Sequence, residues 1–206
     1  MTATESGSEP MKIVEVRDAT KSDLRAVTNL WVELAEYHSE LSDIFALSWD
    51  SRLRWSRYLA SKFKEISTKL VVAEEDGKIV GFMLCLLSPN VPVYAERKVG
   101  VISDAFVLPE RRKKGIMKLM FDHSVKWFKK NKVKSIQLGV AAVNPDALAV
   151  WSKMGFEPHM IYERLDIGKL SERSSKSPSR KLIRKEKVEK RRGLGSRVVL
   201  RIRRGP

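Results

Sequence analysis

Hydrophobic and polar positions change their spacing several times along the chain, and each change predicts a new element. Over residues 12–17 apolar residues alternate with charged ones, which is the period of a half-buried strand. From Leu24 to Tyr37 they recur in steps of three and four, which is the period of a helix packed on one face. Thr20 and Asp23 precede this helix and are typical of a capping box. A second helix is predicted over residues 49–63.

The middle and the end of the chain are predicted to alternate between strands and helices. Residues 69–74 and 78–87 flank Glu75-Asp76-Gly77, which is a turn signal, so this stretch predicts a hairpin. The later patterns predict a strand over residues 97–107, a helix over 116–128, a strand over 132–142, a helix after Asn144, and strands from Phe156 and over 160–167. The predicted order is therefore β-α-α-β-β-β-α-β-α-β-β, with no internal repeat.

The stretch from residue 102 to 117 joins a strand, a basic turn and a helix in immediate succession. The apolar run ends at Pro109, the turn contains Arg111, Arg112, Lys113, Lys114 and Gly115, and the amphipathic helix begins at Ile116. A helix N terminus offers unpaired backbone N–H groups and a partial positive charge, so it can hold a phosphate. The added cations favour a diphosphate. A solvated basic turn is the alternative interpretation of such a charge run.

Residues 112–117 resemble motif A of the GNAT superfamily of acyl-CoA N-acyltransferases. The loop of that family is Arg/Gln-x-x-Gly-x-Gly/Ala, and here Arg112 and Gly115 match it. Met117 departs from the family, because it stands where a small residue is usual. The backbone N–H groups of the loop are unaffected by this difference.

Residues 144–156 carry a second resemblance to the same family. They are similar to the family pattern Asn-x-x-Ala-x-x-Leu-Tyr-x-Lys-x-Gly-Phe, with Asn144 as a predicted N-cap and Gly155 as a predicted C-terminal cap. Trp151 replaces the tyrosine. The two motifs occur in the family's order, and the resemblance covers roughly residues 13–167. It implies an α/β GNAT fold, a mixed central sheet with helices on both faces, here followed by a basic C-terminal tail.

The resemblance also implies a cosubstrate and its contacts. The cosubstrate is acetyl-CoA, and the acetyl group passes directly to an amine acceptor, either a small molecule or a protein. Backbone amides of the strand before the loop bind the pantetheine and the thioester carbonyl, the loop holds the diphosphate, and the last helix lines the channel. The implied cofactor-binding residues are Ala105, Phe106, Val107, Arg112, Lys113, Lys114, Gly115, Ile116, Met117, Asn144 and Trp151.

Catalytic groups are harder to assign. Asp104 is the predicted general base because relatives use an acidic residue on this strand, with Ser103 and Glu96 as alternatives. Asp104 could instead be a structural hydrogen-bonding group. Tyrosine serves as the acid in many relatives, but the indole of Trp151 is not a usable acid. Water, Ser152 or Tyr162 is expected to substitute for it.

The remaining candidates for chemistry are interpreted as structural. His38 lies at the end of the first helix, which borders the acceptor site in the family, and it is interpreted as a surface residue. His123 is interpreted as a packing residue, and Cys85 as a small core residue. The three histidines are far apart in sequence and have no metal-ligand spacing, so no metal site is predicted.

Composition limits the class of protein. One cysteine excludes an internal disulfide and a cysteine-based zinc site, which fits a cytoplasmic protein. No run of eighteen apolar residues occurs, and residues 1–10 lack the features of a secretory signal, so no membrane association is expected. Residues 169–206 contain fifteen Lys or Arg and three Glu, a net charge of +12, which leaves only +3 of the total +15 for residues 1–168.

The sequence predicts three segments and leaves two functions open. Residues 1–10 form a flexible extension, 11–168 the acetyltransferase domain, and 169–206 a flexible basic tail. The first function is N-acetyl transfer to an amine that the sequence does not identify. The second is a catalytically weak or inactive CoA-binding module that associates with nucleic acid through the tail. Because residues 169–206 contain no aromatic residue, any such binding is expected to be weak and independent of sequence. A homodimer also stays open.

Overall fold

The computed structural model describes residues 13–168, so the predictions for residues 1–10 and for the basic tail lie outside the described residues. Five strands and four α-helices follow one another along the described chain. They are β1 (Val14–Asp18), α1 (Leu24–Leu41), α2 (Ser51–Lys62), β2 (Thr68–Glu75), β3 (Lys78–Pro89), β4 (Lys98–Val107), α3 (Ile116–Lys130), β5 (Ile136–Leu138) and α4 (Pro145–Lys153). Contacts divide the chain into two units, Met1–Glu157 and Pro158–Pro206.

The strands form one mixed sheet in the order β1-β2-β3-β4-β5. The first four strands are antiparallel to their neighbours, whereas β5 is parallel to β4. The β2–β3 hairpin turns at Asp76 and Gly77, whose φ angles of 51° and 74° are those of a tight hairpin turn. This confirms the hairpin that the sequence predicts.

Helices cover both faces of the sheet, as predicted. On one face α1 and α2 bury Val27, Leu30, Trp55 and Leu59 against β2, β3 and β4. On the other face α3 buries residues at steps of three and four, which are Ile116, Met120 and Phe128 together with Ser124. Each helix thus turns its apolar stripe to the sheet, which is why the helical period in the sequence located these elements correctly.

The start of α1 is held by the predicted capping box. The backbone N–H of Thr20 donates to the Asp23 carboxylate at 2.7 Å. Arg17 of β1 also binds this carboxylate, with 2.8 Å between its Nη1 and Asp23 Oδ2. Arg17 therefore holds the pKa of Asp23 well below its ordinary value. Because Arg17 also pairs with Glu74 of β2, the ion cluster connects α1 to the sheet edge.

The end of the described chain differs from the prediction. The strand predicted over residues 132–142 is limited to Ile136–Leu138. The strands predicted from Phe156 and over residues 160–167 are wrong, because no strand occurs between residues 156 and 166. Pro158 has no N–H to donate to a ladder, and the side chains of Ile161 and Tyr162 are 85% and 89% exposed. Apolar alternation alone therefore did not produce a strand here.

Candidate active site

The sheet opens between β4 and β5, and this opening creates the main cleft. The two strands pair only at Gly100, Val101 and Ile102, although β4 continues to Val107. Within residues 13–168, the second half of β4 consequently has no strand partner on its β5 side. A cleft of about 990 Å³ occupies this region and is lined from α1, β4, the β4–α3 loop, β5 and α4.

The β4–α3 loop presents a bare helix N terminus to the cleft. Gly115 is the N-cap of α3 and has a φ of 78°, a left-handed conformation that favours glycine. Lys113 also has a positive φ of 61°, which is a strained conformation for a residue with a side chain. No side chain caps the helix, so the N–H groups of its first turn are available to an anion. Gly115, Ile116 and Met117, which are predicted to bind the cofactor, line the cleft.

The four basic residues of this loop have different surroundings. Arg111 is paired with the buried carboxylate of Glu75, at 2.6 Å. Arg112 donates from Nε to the backbone oxygen of Val107 and lies over the rings of Tyr37 and Phe106, at 5.9 and 5.5 Å. The exposed ammonium groups of Lys113 and Lys114 form no salt bridge within residues 13–168. Lys113 lines the cleft, whereas Lys114, although predicted to bind the cofactor, lies beside it. Lys113 therefore supplies positive charge inside the cleft and Lys114 supplies it next to the cleft, whereas Arg112 shapes the cleft wall.

The start of α4 forms another wall of the cleft. Asn144 is the predicted N-cap, and its side chain accepts a hydrogen bond of 3.0 Å from the N–H of Ala147. The residue is only 5% exposed and lines the cleft. Its amide N–H₂ group has no partner within residues 13–168 and can donate to a ligand.

Trp151 of α4 is fixed by aromatic neighbours. Its ring centroid lies 6.4 Å from Phe121 of α3 and 5.4 Å from Phe156, both in edge-to-face arrangements. This cluster attaches α4 to α3, and Trp151 also lines the cleft. The geometry agrees with the predicted interpretation of Trp151 as a channel wall.

A bulge in β4 determines where Asp104 points. Cys85 pairs with Ile102 and Leu84 with Asp104, so Ser103 is an extra residue on β4. Without it, Ile102 and Asp104 would lie on the same face, because side chains alternate along a strand. With it, Ile102 packs on the α3 face whereas Asp104 points to α1. The bulge thus turns the carboxylate into the cleft.

Asp104 is held by two hydrogen bonds. Nε1 of Trp31 donates to Oδ1 at 3.1 Å, and Oγ of Ser103 donates to Oδ2 at 2.7 Å. Burial raises the pKa of Asp104 above its ordinary value, although both hydrogen bonds oppose the shift. A carboxylate with a raised pKa inside a cleft is a good proton acceptor.

His38 is the functional candidate that the sequence interpretation missed. It is not a plain surface residue, because its half-buried ring lines the cleft, 6.0 Å from Tyr37 and 5.5 Å from Phe45. Burial lowers the pKa of His38, although the negative charge of Asp104 opposes the shift. The imidazole is therefore neutral at neutral pH. The helical spacing from Trp31 to His38 was the one signal that could have placed both residues near the same site.

Other candidates lie in structural roles. Glu96 accepts hydrogen bonds from the backbone N–H and the hydroxyl of Ser135, at 3.0 and 2.7 Å, and so positions the start of β5. His123 lies 2.8 Å from Asp18 of β1, measured between Nε2 and Oδ1. Cys85 is fully buried, and burial raises its thiol pKa to about 12, which confirms it as a core residue.

The described residues contain neither a metal-binding cluster nor a membrane-spanning helix. Within residues 13–168 no group of three His, Cys, Asp or Glu side chains is placed to hold a metal ion. No helix of the same residues combines the length and the apolar character that crossing a membrane requires.

Known proteins that resemble this chain carry the same fold. An uncharacterized N-acetyltransferase of Bacillus subtilis, YhfO, is 22% identical over 144 residues, which cover 70% of this chain and 90% of that protein. The crystal structure of a mutant protein from Bacillus halodurans matches with a TM-score of 0.67 and 27% identity, covering 74% of this chain and 99% of that one. A predicted acetyltransferase from Clostridium acetobutylicum, solved with acetyl-CoA, matches with a TM-score of 0.63 and 19% identity, covering 76% and 98%.

A family model matches the part of the chain that contains both motifs and the elements around the cleft. The model described as the acetyltransferase (GNAT) family matches residues 34–156, which is more than half of the chain. The match includes β4, the bare N terminus of α3 and the whole of α4. The chain therefore belongs to the GNAT acetyltransferase family.

Proposed function

We propose that this protein is an N-acetyltransferase that moves the acetyl group of acetyl-CoA directly to an amine. One observation carries the proposal: a single cleft joins the bare N terminus of α3, the unpaired edge of β4 and the carboxylate of Asp104. Direct transfer needs these three features together, namely an anchor for the diphosphate, donors for the thioester carbonyl and a group that receives a proton.

The contacts to acetyl-CoA follow from the walls of the cleft. The N–H groups of Gly115, Ile116 and Met117, with Lys113 and Lys114, hold the diphosphate. Backbone amides of Ala105 and Val107 face the open side of β4 and are the donors for the pantetheine arm and the carbonyl oxygen. Phe106 directs its own N–H to β3 and contributes to the cleft wall. The amide of Asn144 donates to the same arm, and Trp151 and Arg112 form the sides of the channel.

Asp104 prepares the amine for attack. An amine is mostly protonated at neutral pH, and only its neutral form is nucleophilic. The Asp104 carboxylate accepts this proton directly or through one water, while Trp31 and Ser103 keep both of its oxygens oriented. The amine nitrogen then bonds to the acetyl carbon and releases its second proton to water, the bond from carbon to sulfur breaks, and CoA leaves as a thiolate.

No acid is needed at Trp151 for this sequence of steps. A thiolate is a stable leaving group, and water at the open mouth of the cleft can protonate it. Trp151 therefore needs only to pack against the pantetheine, and its edge-to-face contact with Phe156 keeps it in place.

The experiment is an isotope transfer assay. Acetyl-CoA with a ¹³C-labelled acetyl group is incubated with the protein and a panel of amines, and mass spectrometry measures labelled amide and free CoA. The proposal expects equal amounts of one acetylated amine and CoA. Free CoA without labelled amide indicates hydrolysis instead, and tight acetyl-CoA binding without turnover of any amine supports the alternative of a CoA-binding module.

A further inference from the structure

We infer that the acceptor is a primary monoamine carried on an aromatic body, such as an arylalkylamine. The inference rests on the proposed function and adds the substrate class to it. The observations that carry it are the aromatic walls, the single carboxylate and the exposed apolar loop at the end of the cleft that faces α1.

The acceptor end of the cleft is made almost entirely of apolar and aromatic side chains. The residues that line it on the α1 side of β4 are Trp31, Leu34, Tyr37, His38, Phe45 and Leu47. The rings of Tyr37, His38 and Phe45 lie next to one another, at centroid distances of 6.0 and 5.5 Å. Such rings bind a flat apolar group by stacking and edge contacts, because a further ring can join the cluster at similar distances.

Part of this wall is open to solvent and is available to a ligand. Phe45 and Leu47, in the loop between α1 and α2, are 36% and 41% exposed although they line the cleft. Covering them with the body of a substrate removes apolar surface from water, which favours binding. A small polar amine does not cover this apolar surface, so its binding is not strengthened by it.

The charges at this end fit one positive group. Among residues 13–168, Asp104 is the only carboxylate that lines the cleft on the α1 side of β4, because the other lining carboxylate, Asp146, belongs to α4. His38 is neutral, and the next charges along the cleft are cations, beginning with Arg112 over the ring of Tyr37. An acceptor with several ammonium groups would place its extra charges against these cations or against apolar walls. A monoamine satisfies Asp104 and leaves no cation without a partner.

The wall beneath Asp104 limits the position of the amine. Trp31 donates to the carboxylate and stacks on Trp55, with ring centroids 4.7 Å apart. This indole pair is fixed against the core, since Trp55 is only 8% exposed. The amine therefore approaches Asp104 from the open side, and its body extends towards Tyr37, His38 and Phe45.

The test measures binding and turnover separately. The protein is saturated with CoA, and NMR titration gives the Kd of 2-phenylethylamine, ethanolamine and spermidine. We expect 2-phenylethylamine to bind at least tenfold more tightly than ethanolamine, and spermidine no more tightly than ethanolamine. Phe45→Ala should remove most of the advantage of 2-phenylethylamine and leave ethanolamine unchanged. Trp49→Ala is the matched control, because Trp49 is in the same loop, is 96% exposed and does not line the cleft.

Each outcome separates this inference from the proposed function. Equal affinity for 2-phenylethylamine and ethanolamine, or tighter binding of spermidine, overturns the substrate class even if acetyl transfer occurs. Absence of amine binding overturns it as well. Selective binding of 2-phenylethylamine that depends on Phe45 but gives no acetylated product supports the inference and contradicts the proposed function.

Discussion

Asp104 is the residue on which the proposed chemistry depends most. Its surroundings affect its pKa in two opposite ways. Burial favours the protonated acid and raises the pKa, whereas the hydrogen bonds from Trp31 and Ser103 favour the ionised form and lower it. The result is an oriented carboxylate that is more basic than an exposed aspartate. A general base needs this combination.

Asp104→Asn should lower kcat/KM for the amine by about 10²–10⁴, the usual contribution of a positioned base. The Kd of acetyl-CoA should stay within about twofold, since Asp104 lies on the α1 side of β4 and away from the loop that holds the diphosphate. The wild-type pH–rate profile should fall in acid at a pH above the ordinary aspartate range, and the variant should lack this limb. An unchanged kcat/KM would remove Asp104 from the mechanism.

Stability provides the control for this substitution. A carboxyl whose folded pKa is raised keeps its proton more firmly in the folded state, so wild-type stability falls as pH rises from about 3.8 through the folded pKa. Asn cannot ionise and escapes this loss. Urea denaturation should show the variant gaining stability relative to wild type as pH rises through that window. A loss of activity caused by misfolding would instead appear as lower stability throughout.

At the scale of elements, the close packing of α3 on β4 holds the cleft in shape. A Cβ atom on Gly100 would lie 2.6 Å from Cε1 of Phe128, whose side chain is only 1% exposed. A contact this short forces α3 away from the strand. The helix and the strand can approach so closely because glycine has no side chain at this position.

Gly100→Ala should therefore lower the free energy of unfolding by about 1–3 kcal/mol, the usual cost of overpacking a core. The matched control is Gly139→Ala, because a Cβ there meets nothing within 4 Å. Chemical denaturation followed by circular dichroism gives both values. Equal midpoints for the two variants would show that α3 does not pack on Gly100 as described.

The sequence predicted the elements whose period is strong, but it also predicted strands at the end of the described chain that do not form. Helix α3 and the β2–β3 hairpin follow from helical spacing and from Asp76-Gly77, which are local signals. Strand β5 is short, and residues 156–166 form no strand, because apolar alternation alone does not provide the pairing with a neighbouring strand.

Only part of the candidate site was predicted, because the sequence shows local features and not contacts between distant residues. The basic loop is contiguous in sequence, so its proximity to a helix N terminus was visible. The contact between Trp31 and Asp104 joins residues that are 73 positions apart. The bulge at Ser103 cannot be recognised from the spacing of apolar and polar residues. His38 was assigned to the surface for this reason, whereas the fold brings it to the cleft wall.

At the scale of the whole molecule, the opening between β4 and β5 lets one cleft reach both faces of the sheet. Residues from α3 and α4 line it on one face, and residues from α1 line it on the other. A donor anchored at the N terminus of α3 and an acceptor held near α1 can therefore meet at the edge of β4. The donor end carries the basic loop together with Asp146 of α4, and the acceptor end carries Asp104.

The central claim is that acetyl-CoA is anchored at the N terminus of α3, and calorimetry on two charge-reversed variants tests it most directly. One variant is Lys113→Glu with Lys114→Glu, and its control is Lys129→Glu with Lys130→Glu, which makes the same charge change at the opposite end of the same helix. The account predicts that the loop variant binds acetyl-CoA at least tenfold more weakly, because charge-assisted contacts to phosphate contribute about 1.5–3 kcal/mol. The control should stay within about twofold of wild type. Equal weakening in both variants, or none in either, would contradict the claim.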